Sequence, residues 1–206
     1  MSFLDAETPT ISSVEQGSPE WHEERRGKPS ASKFKDVLAK GQGLTRKSYL
    51  HTLAGELITG LVDEGWGGNV HTERGKAYEA EAVALYELMS DNETALVGCI
   101  TRGRILCSPD RLVGDDGLLE IKTRLPKLQI ELLEADRVPP EHKAQLQGQL
   151  LVSGRHWVDF ASHCPGLPMF KQRVYRENVY LQTLESELEL FISDLDALVL
   201  KYGSNN

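Results

Sequence analysis

The sequence predicts a mixed α/β domain built around one small sheet. Three observations carry that expectation. Amphipathic helical periods and alternating strand-like runs follow one another in the order helices, strands, helix, strands, helix. The chain has 206 residues, 40% of them hydrophobic, which suits one globular domain over 1–206 with a sizeable core. No internal repeat is visible, and no run approaches the ~18 apolar residues of a membrane span.

Taken in order, residues 1–17 read as an irregular arm without the basic-then-apolar pattern of a signal peptide. In "SPEWHEERRG", Ser18 caps a helix, Pro19 occupies its first turn and Glu20 follows. "SASKFKDVLAKG" reads as a second, short helix stopped at Gly41. "LTRKSYLHTLAGELITGLV" predicts a longer one, with Thr45 as candidate cap and Tyr49, Leu50, Leu53 and Leu57 at helical spacing. The glycine-rich "DEGWGGNV" is a loop, and 71–89 is another amphipathic helix. "TALVGCITRGRILCSPD" alternates and turns at Arg102-Gly103, a hairpin; a short polar loop leads to the strand "GLLEIKT". After Pro139-Pro140 come the helix "EHKAQLQGQLLVSG" and the strands "HWVDFASHC" and "MFKQRVYR". A last helix carries Leu184, Leu188, Phe191, Leu195 and Leu198 in steps of four and three.

Charge and cysteine content narrow the functional classes. Net charge is −8, yet its distribution matters more than its sum. Between His22 and Tyr49, eight Lys/Arg (Arg25, Arg26, Lys28, Lys33, Lys35, Lys40, Arg46, Lys47) face three acids. From Glu177 onward there are six acids and one lysine. A basic segment of this kind suits nucleic acid, while two solvated helical faces are the plain alternative. Cys99, Cys107 and Cys164 are three, with no CxxC spacing, which argues against a disulfide framework or a zinc site and fits a reducing cytoplasm.

The stretch "SPDRLVGDDGLLEIKT" carries the chemistry. Side chains two apart on a strand share a face, with Cβ atoms about 6.5 Å apart. Glu120 and Lys122 therefore point one way, and Leu119 and Ile121 the other. A hairpin would bring Asp110 beside Glu120. Two carboxylates and the Ile121 carbonyl make an all-oxygen site for a hard cation such as Mg²⁺, with Lys122 placed to hold a water attacking phosphorus. The bland alternative is an amphipathic strand with alternating charges. In the helix 71–89, Glu79 has Ala82, Val83 and Tyr86 as helical neighbours, and Glu81 has Leu85 and Leu88; spacing alone does not separate the two acids. His142, Gln145 and Gln149 line up as a polar stripe beside Leu146 and Leu150, which a solvated helix face would also produce.

Other templates fail. GxxxxGK[ST], GxGxxG and a serine nucleophile turn are missing. His156 and His163, seven apart on a strand, face opposite ways and make no metal pair, and Cys107 reads as a small buried residue.

The blocks "WHEERRGKPSASKF", "RGKAYEAEA", "CSPDRLVGDDGLLEIKT" and "HKAQLQGQLLVSG", in that order over about 18–163, resemble the phage-lambda-type exonucleases, or YqaJ-type viral recombinases. These belong to the PD-(D/E)xK nuclease superfamily. The resemblance implies its restriction-endonuclease-like core, a small mixed sheet flanked by helices. It also implies an Mg²⁺-dependent 5′→3′ exonuclease, with Mn²⁺ able to substitute, that degrades one strand of double-stranded DNA from an end for recombination by strand annealing. On that footing Asp110, Glu120 and the Ile121 carbonyl bind metal, and Lys122 orients the water. Glu79 falls on the family's helix acid, and Gln145 on the glutamine at the scissile phosphate. Arg25, Ser32 and Ser108 match the residues that hold the 5′-phosphate. A ring-shaped homotrimer, a single-strand annealing protein as partner, no membrane, and the cytoplasm of a bacterial host carrying a phage or prophage are implied as well. Two departures stand out. "HTERGKAYE" is polar where an apolar wedge would be expected, and His142 stands where a tyrosine is common. An endonuclease of the same superfamily and a non-catalytic DNA-end-binding recombination protein are the alternatives.

Overall fold

The computed structural model describes Leu4 and residues 7–39, 44–62 and 70–203. Its elements run β1 (Thr10–Ile11), α1 (Pro19–Arg25), a 3-10 turn (Ala31–Lys33) leading into α2 (Phe34–Val37), α3 (Leu44–Thr59) and α4 (Val70–Ser90). Then come β2 (Thr94–Ala95), β3 (Ile100–Arg102), β4 (Ile105–Cys107), β5 (Arg111–Val113) and β6 (Gly117–Thr123). The chain continues through α5 (Pro126–Ala135), a 3-10 turn (Pro140–His142) leading into α6 (Lys143–Ser153), β7 (Trp157–His163), β8 (Phe170–Tyr175) and α7 (Asn178–Gly203).

The strands form two sheets where one was expected. One has the order β1-β3-β4, and the other β2-β5-β6-β7-β8. The division falls at Ser108-Pro109-Asp110, where Pro109 has no N–H to continue a ladder. Beyond it the chain re-enters as β5, paired antiparallel with β6 from Arg111↔Leu119 to Val113↔Gly117. What reads as a polar loop is thus half strand. β6 and β7 run parallel in register from Gly117↔Trp157 to Thr123↔His163. A parallel pair needs a long crossover, and α5 and α6 supply it.

The two faces of β6 pack differently, as its alternation requires. Leu119 and Ile121 join Val113 and Ala161 beneath Ala82, Val83 and Tyr86 of α4. Leu118, with Val158 and Phe160, faces the larger core of α2, α3, α6 and α7. In α6, a Cβ added to Gly148 would lie 2.4 Å from Phe34 Cδ2, so the missing side chain lets the helix press onto the Phe34 turn. The helix stops at Gly154, whose φ of 72° and N–H bond to Leu150 O close its end.

Several elements differ from expectation. Within 1–17, Thr10 and Ile11 pair with Thr101 and Ile100, and Arg102 donates to the carbonyls of Leu4 and Glu7, which fastens part of the arm. Thr94 and Ala95, expected in the same hairpin as β3 and β4, pair with β5 in the other sheet. The short helix expected to stop at Gly41 breaks into a 3-10 turn and one α-turn ending at Val37; Gly41 itself and the glycine-rich segment 63–69 lie outside the described residues. Thr45 lies inside α3 rather than capping it. α5 has no counterpart in the sequence reading. Its buried face joins a polar residue, Gln129, to Leu132, while Leu128 and Ile130 are exposed, so apolar residues alone do not mark that face. No helix among the described residues is long and apolar enough to cross a membrane.

Candidate active site

Glu120 lies at the centre. Its side chain is buried, at 3% exposure, in the middle of β6. A carboxylate there is tolerable only if its lone pairs are filled. Three donors fill them. Lys122 Nζ donates to Oε1 at 2.6 Å, Gln145 Nε2 to the same oxygen at 2.6 Å, and Gln149 Nε2 to Oε2 at 2.5 Å. The period-two strand aligns Glu120 with Lys122, and the stripe on α6 delivers both glutamines one turn apart. Burial pulls the Lys122 ammonium down, but Glu120 and Asp110 outweigh it and hold it above its ordinary value.

Asp110 reaches the same place by the β5–β6 hairpin. Its N–H donates to Leu119 O at 3.1 Å, and its Oδ2 accepts from Ile121 N. Burial, then the Glu120 charge, push its carboxyl well above the ordinary carboxylate range, against the pull of the Ile121 N–H. Glu79, on α4, adds a smaller push of the same sign. It lies 3.5 Å from Arg111 Nη1, which also donates to Asp110 O at 2.6 Å. Glu81 instead turns to His163, with 3.4 Å between Oε1 and Nε2. The structure therefore separates the two acids that spacing leaves equivalent.

These residues suit a hard cation. Among the described residues no group of three His, Cys, Asp or Glu side chains stands ready to hold a metal. The available donors are two carboxylates and a main-chain carbonyl, oxygen only, which favours Mg²⁺ or Mn²⁺ over zinc. The Asp110 carboxyl, pushed up by burial and by the Glu120 charge beside it, calls for positive charge between the two.

A second constellation adjoins the first. Arg25, on α1, donates from Nη1 to Ser108 Oγ at 3.0 Å and from Nη2 to Ser30 Oγ at 3.1 Å. Ser30 in turn shares a hydrogen bond with Ser32, and the guanidinium lies 4.1 Å from the centre of the Trp21 ring. No ion pair engages Arg25 among the described residues, and burial lowers it below its ordinary value. A partly desolvated cation with hydroxyls around it is a receptor for an anion. It lines a cavity of about 180 Å³ that Gln145 and Gln149, the residues that hold Glu120, also line. A larger cavity of about 570 Å³ shares Trp21, Arg25 and Ser30 with it.

All nine residues singled out in the sequence thus fall in two adjoining groups: Glu79, Asp110, Glu120, Ile121, Lys122 and Gln145 in one, Arg25, Ser32 and Ser108 in the other. Ser32 touches Arg25 only through Ser30, a residue sequence reasoning passed over although "PSAS" offers it equally. Gln149 and Arg111 were also missed as site residues. The signal for Gln149 was its place on the polar stripe. His156 is a surface residue and His163 is buried at 3% exposure, and Cys107 is fully buried.

A mixed sheet with a Pro-Asp turn, an acid-x-Lys strand and flanking helices is the PD-(D/E)xK type of nuclease fold. The YqaJ-like viral recombinase domain matches residues 20–156, and the chain belongs to that family. Among solved structures, an alkaline exonuclease (LHK-Exo) from Laribacter hongkongensis is 31% identical, with a TM-score of 0.80 over 89% of this chain and 95% of its own. LHK-Exo in complex with dAMP gives a TM-score of 0.82 at the same identity and coverage. A phage related exonuclease from Haemophilus somnus 129PT, 14% identical, shares the fold at a TM-score of 0.63 over 84% of this chain and 96% of its own. No curated protein sequence matches the chain.

Proposed function

We propose that this protein is a divalent-metal-dependent 5′→3′ exonuclease acting on the ends of double-stranded DNA. The observation that carries the reading is the wall shared by the two constellations. Gln145 and Gln149 both hold Glu120 and line the Arg25 cavity. A strand end whose terminal phosphate occupies that cavity presents its next phosphodiester to Glu120 and Lys122. The likeness to LHK-Exo, described as an alkaline exonuclease, supports the same assignment.

Asp110, Glu120 and the Ile121 carbonyl would hold Mg²⁺, or Mn²⁺ in its place; bound there, the ion activates water and offsets charge on the pentavalent phosphorus. The protein's own groups do the rest. Lys122, fixed by Glu120, orients the attacking water. Glu79 supports the water shell, with Arg111 holding it in place. Gln145 meets the scissile phosphate. Arg25, Ser108 and Ser32 bind the 5′-phosphate, and the basic segment around them supplies affinity for the backbone. The chain works as one domain over 1–206, as a homotrimeric ring, in the cytoplasm of a phage-bearing bacterium, and hands its 3′ single strand to an annealing protein. Lys122→Ala or Asp110→Ala should abolish cleavage while duplex binding, read by fluorescence anisotropy, survives. Cleavage retained in either variant sinks the mechanism.

A further inference from the structure

Arg124 and His142 form a pair that the reading above leaves without a role. Arg124 follows β6 directly, and its N–H donates to His163 O at 2.9 Å, which carries the strand's alternation one residue further. Its side chain thus lies on the face of Glu120 and Lys122, two residues beyond the lysine. Its charge bears on both Lys122 and His142, so the three groups are neighbours.

The guanidinium is held at one end and open at the other. Nη2 lies 2.9 Å from His142 Nε2. A guanidinium only donates, so Nε2 is the acceptor and the ring is neutral. Burial, then the charges of Lys122 and Arg124, hold the ring below its ordinary value, which keeps it in that form. The ring packs on the fully buried Phe160, with 5.0 Å between centres. Arg124 Nε is buried and bonds to nothing. Nη1 bonds to nothing either but is not buried, so the outer edge of the group is accessible. Among the described residues no carboxylate pairs with it. An arginine without a task would turn outward and wet every N–H. This one keeps Nε dry at a cost in desolvation, and its free edge is a receptor for an anion.

Position says which anion. Gln145 and Gln149 line the Arg25 cavity, whereas His142, earlier in the same stripe, does not, and neither do Lys122 and Arg124. The row Glu120, Lys122, Arg124 therefore leads away from the cavity. Resting on the exonuclease reading, a strand with its 5′-phosphate at Arg25 and its scissile phosphate at Glu120 and Lys122 runs on toward Arg124. Side chains on one face of a strand step by about 6.5 Å, close to the spacing of neighbouring phosphates on a nucleic-acid strand. The group that falls there is the next phosphodiester.

We propose that Arg124 binds the first phosphodiester beyond the scissile one, on the strand that is kept, and that His142 positions its guanidinium for that contact. Arg124 then grips the shortened strand while the excised nucleotide leaves.

The test reads binding without metal or turnover, by fluorescence anisotropy in EDTA, so its failure is distinct from a failure of the exonuclease reading. The probes are DNA hairpins with one 5′-phosphorylated end, in which a neutral methylphosphonate replaces a single linkage. Neutralising the second linkage from the 5′ end should weaken wild-type binding about tenfold, the worth of one charge-assisted hydrogen bond. Arg124→Ala should bind the unmodified hairpin about tenfold more weakly than the wild type and should not respond to that replacement. Neutralising the third linkage should leave the gap between wild type and variant intact. His142→Phe should lose most of the response to the second linkage, and His142→Gln, whose amide oxygen can accept the same bond, should keep it. A wild type indifferent to the second linkage, or an Arg124→Ala protein that responds to it as the wild type does, overturns the proposal. So does a gap that closes only when a linkage of the complementary strand is neutralised. A His142→Phe protein that responds fully overturns the part assigned to His142, and the Arg124 comparison stands even if a His142 variant misfolds.

Discussion

Replacing Gly148 with alanine sets two known effects against each other. In an ordinary helix interior the change would stabilise by about 1 kcal/mol, because glycine gives up more backbone freedom. Here the new Cβ would sit 2.4 Å from Phe34 Cδ2, 2.9 Å from Cε2 and 3.2 Å from Ala31 Cβ. Phe34 is fully buried and Ala31 is 2% exposed, so the ring has nowhere to retreat. Overpacking a core by a methyl costs roughly 1–3 kcal/mol, and a clash this close belongs in the upper part of that range. The difference is a net loss of about 1–2 kcal/mol. At ~2–4 °C per kcal/mol for a chain of this size, Tm should fall by about 2–8 °C. Urea unfolding should show a lower midpoint with an unchanged slope. The easiest relief is a shift of α6 off the Phe34 turn, which would drag Gln145 and Gln149 from Glu120 and lower activity as well. A Tm that rises by the propensity gain would refute the close packing of α6.

Arg25→Ala should slow digestion of 5′-phosphorylated duplexes by about tenfold to a hundredfold, the worth of one charge-assisted anion contact, and barely affect 5′-hydroxyl ends. An equal loss on both ends would take Arg25 out of the phosphate cavity. Burial, then Lys122 and Arg124, hold His142 below its ordinary value of 6.5. Its depressed value means that the unfolded chain takes up the proton first, so stability present above about pH 6.5 drains away as pH falls through the lower folded value. His142→Gln should flatten the fall in unfolding free energy just below pH 6.5, and identical slopes in variant and wild type would remove His142 as a source.

What the sequence shows of this fold follows the periodicity of its elements. β6 is legible because one face meets α4 and the other carries Glu120 and Lys122, which leaves a clear alternation. α7 is legible from its row of leucines, of which Leu184, Leu188 and Leu195 are fully buried. β1 and β2, two residues each, are too short to carry a period. α5 escapes because its buried face is half polar: beside Leu132, Gln129 exchanges hydrogen bonds with Ser162 and donates to Pro168 O. Asp159 is another such case. A strand reading of "HWVDFASHC" gives it no role, yet it is 1% exposed, accepts from Tyr86 OH at 2.8 Å and is gripped by both Arg173 donors. That network fixes α4 on the sheet and so places Glu79. Partners this far apart in sequence leave no local trace.

The site divides the same way. Glu120 and Lys122 follow from spacing along one strand, whereas spacing puts Gln145 on a polar stripe and only the family resemblance sets it apart there. The choice of Glu79 over Glu81 depends on Arg111, which only the β5–β6 hairpin brings within reach. The pairing of Arg25 with Ser108 depends on α1 lying beside the break between the two sheets.

The central claim, that Glu120 and Lys122 share a face in order to hydrolyse DNA from an end, is tested most directly with labelled DNA. Linear duplexes carrying the label at the 5′ or the 3′ terminus would be incubated with the protein, with and without Mg²⁺, beside a closed circle. Mg²⁺-dependent shortening from 5′ ends with the circle spared is the predicted result. Cutting of the circle would show an endonuclease instead, and intact DNA in every lane would contradict the account and leave a protein that binds DNA ends without cutting them.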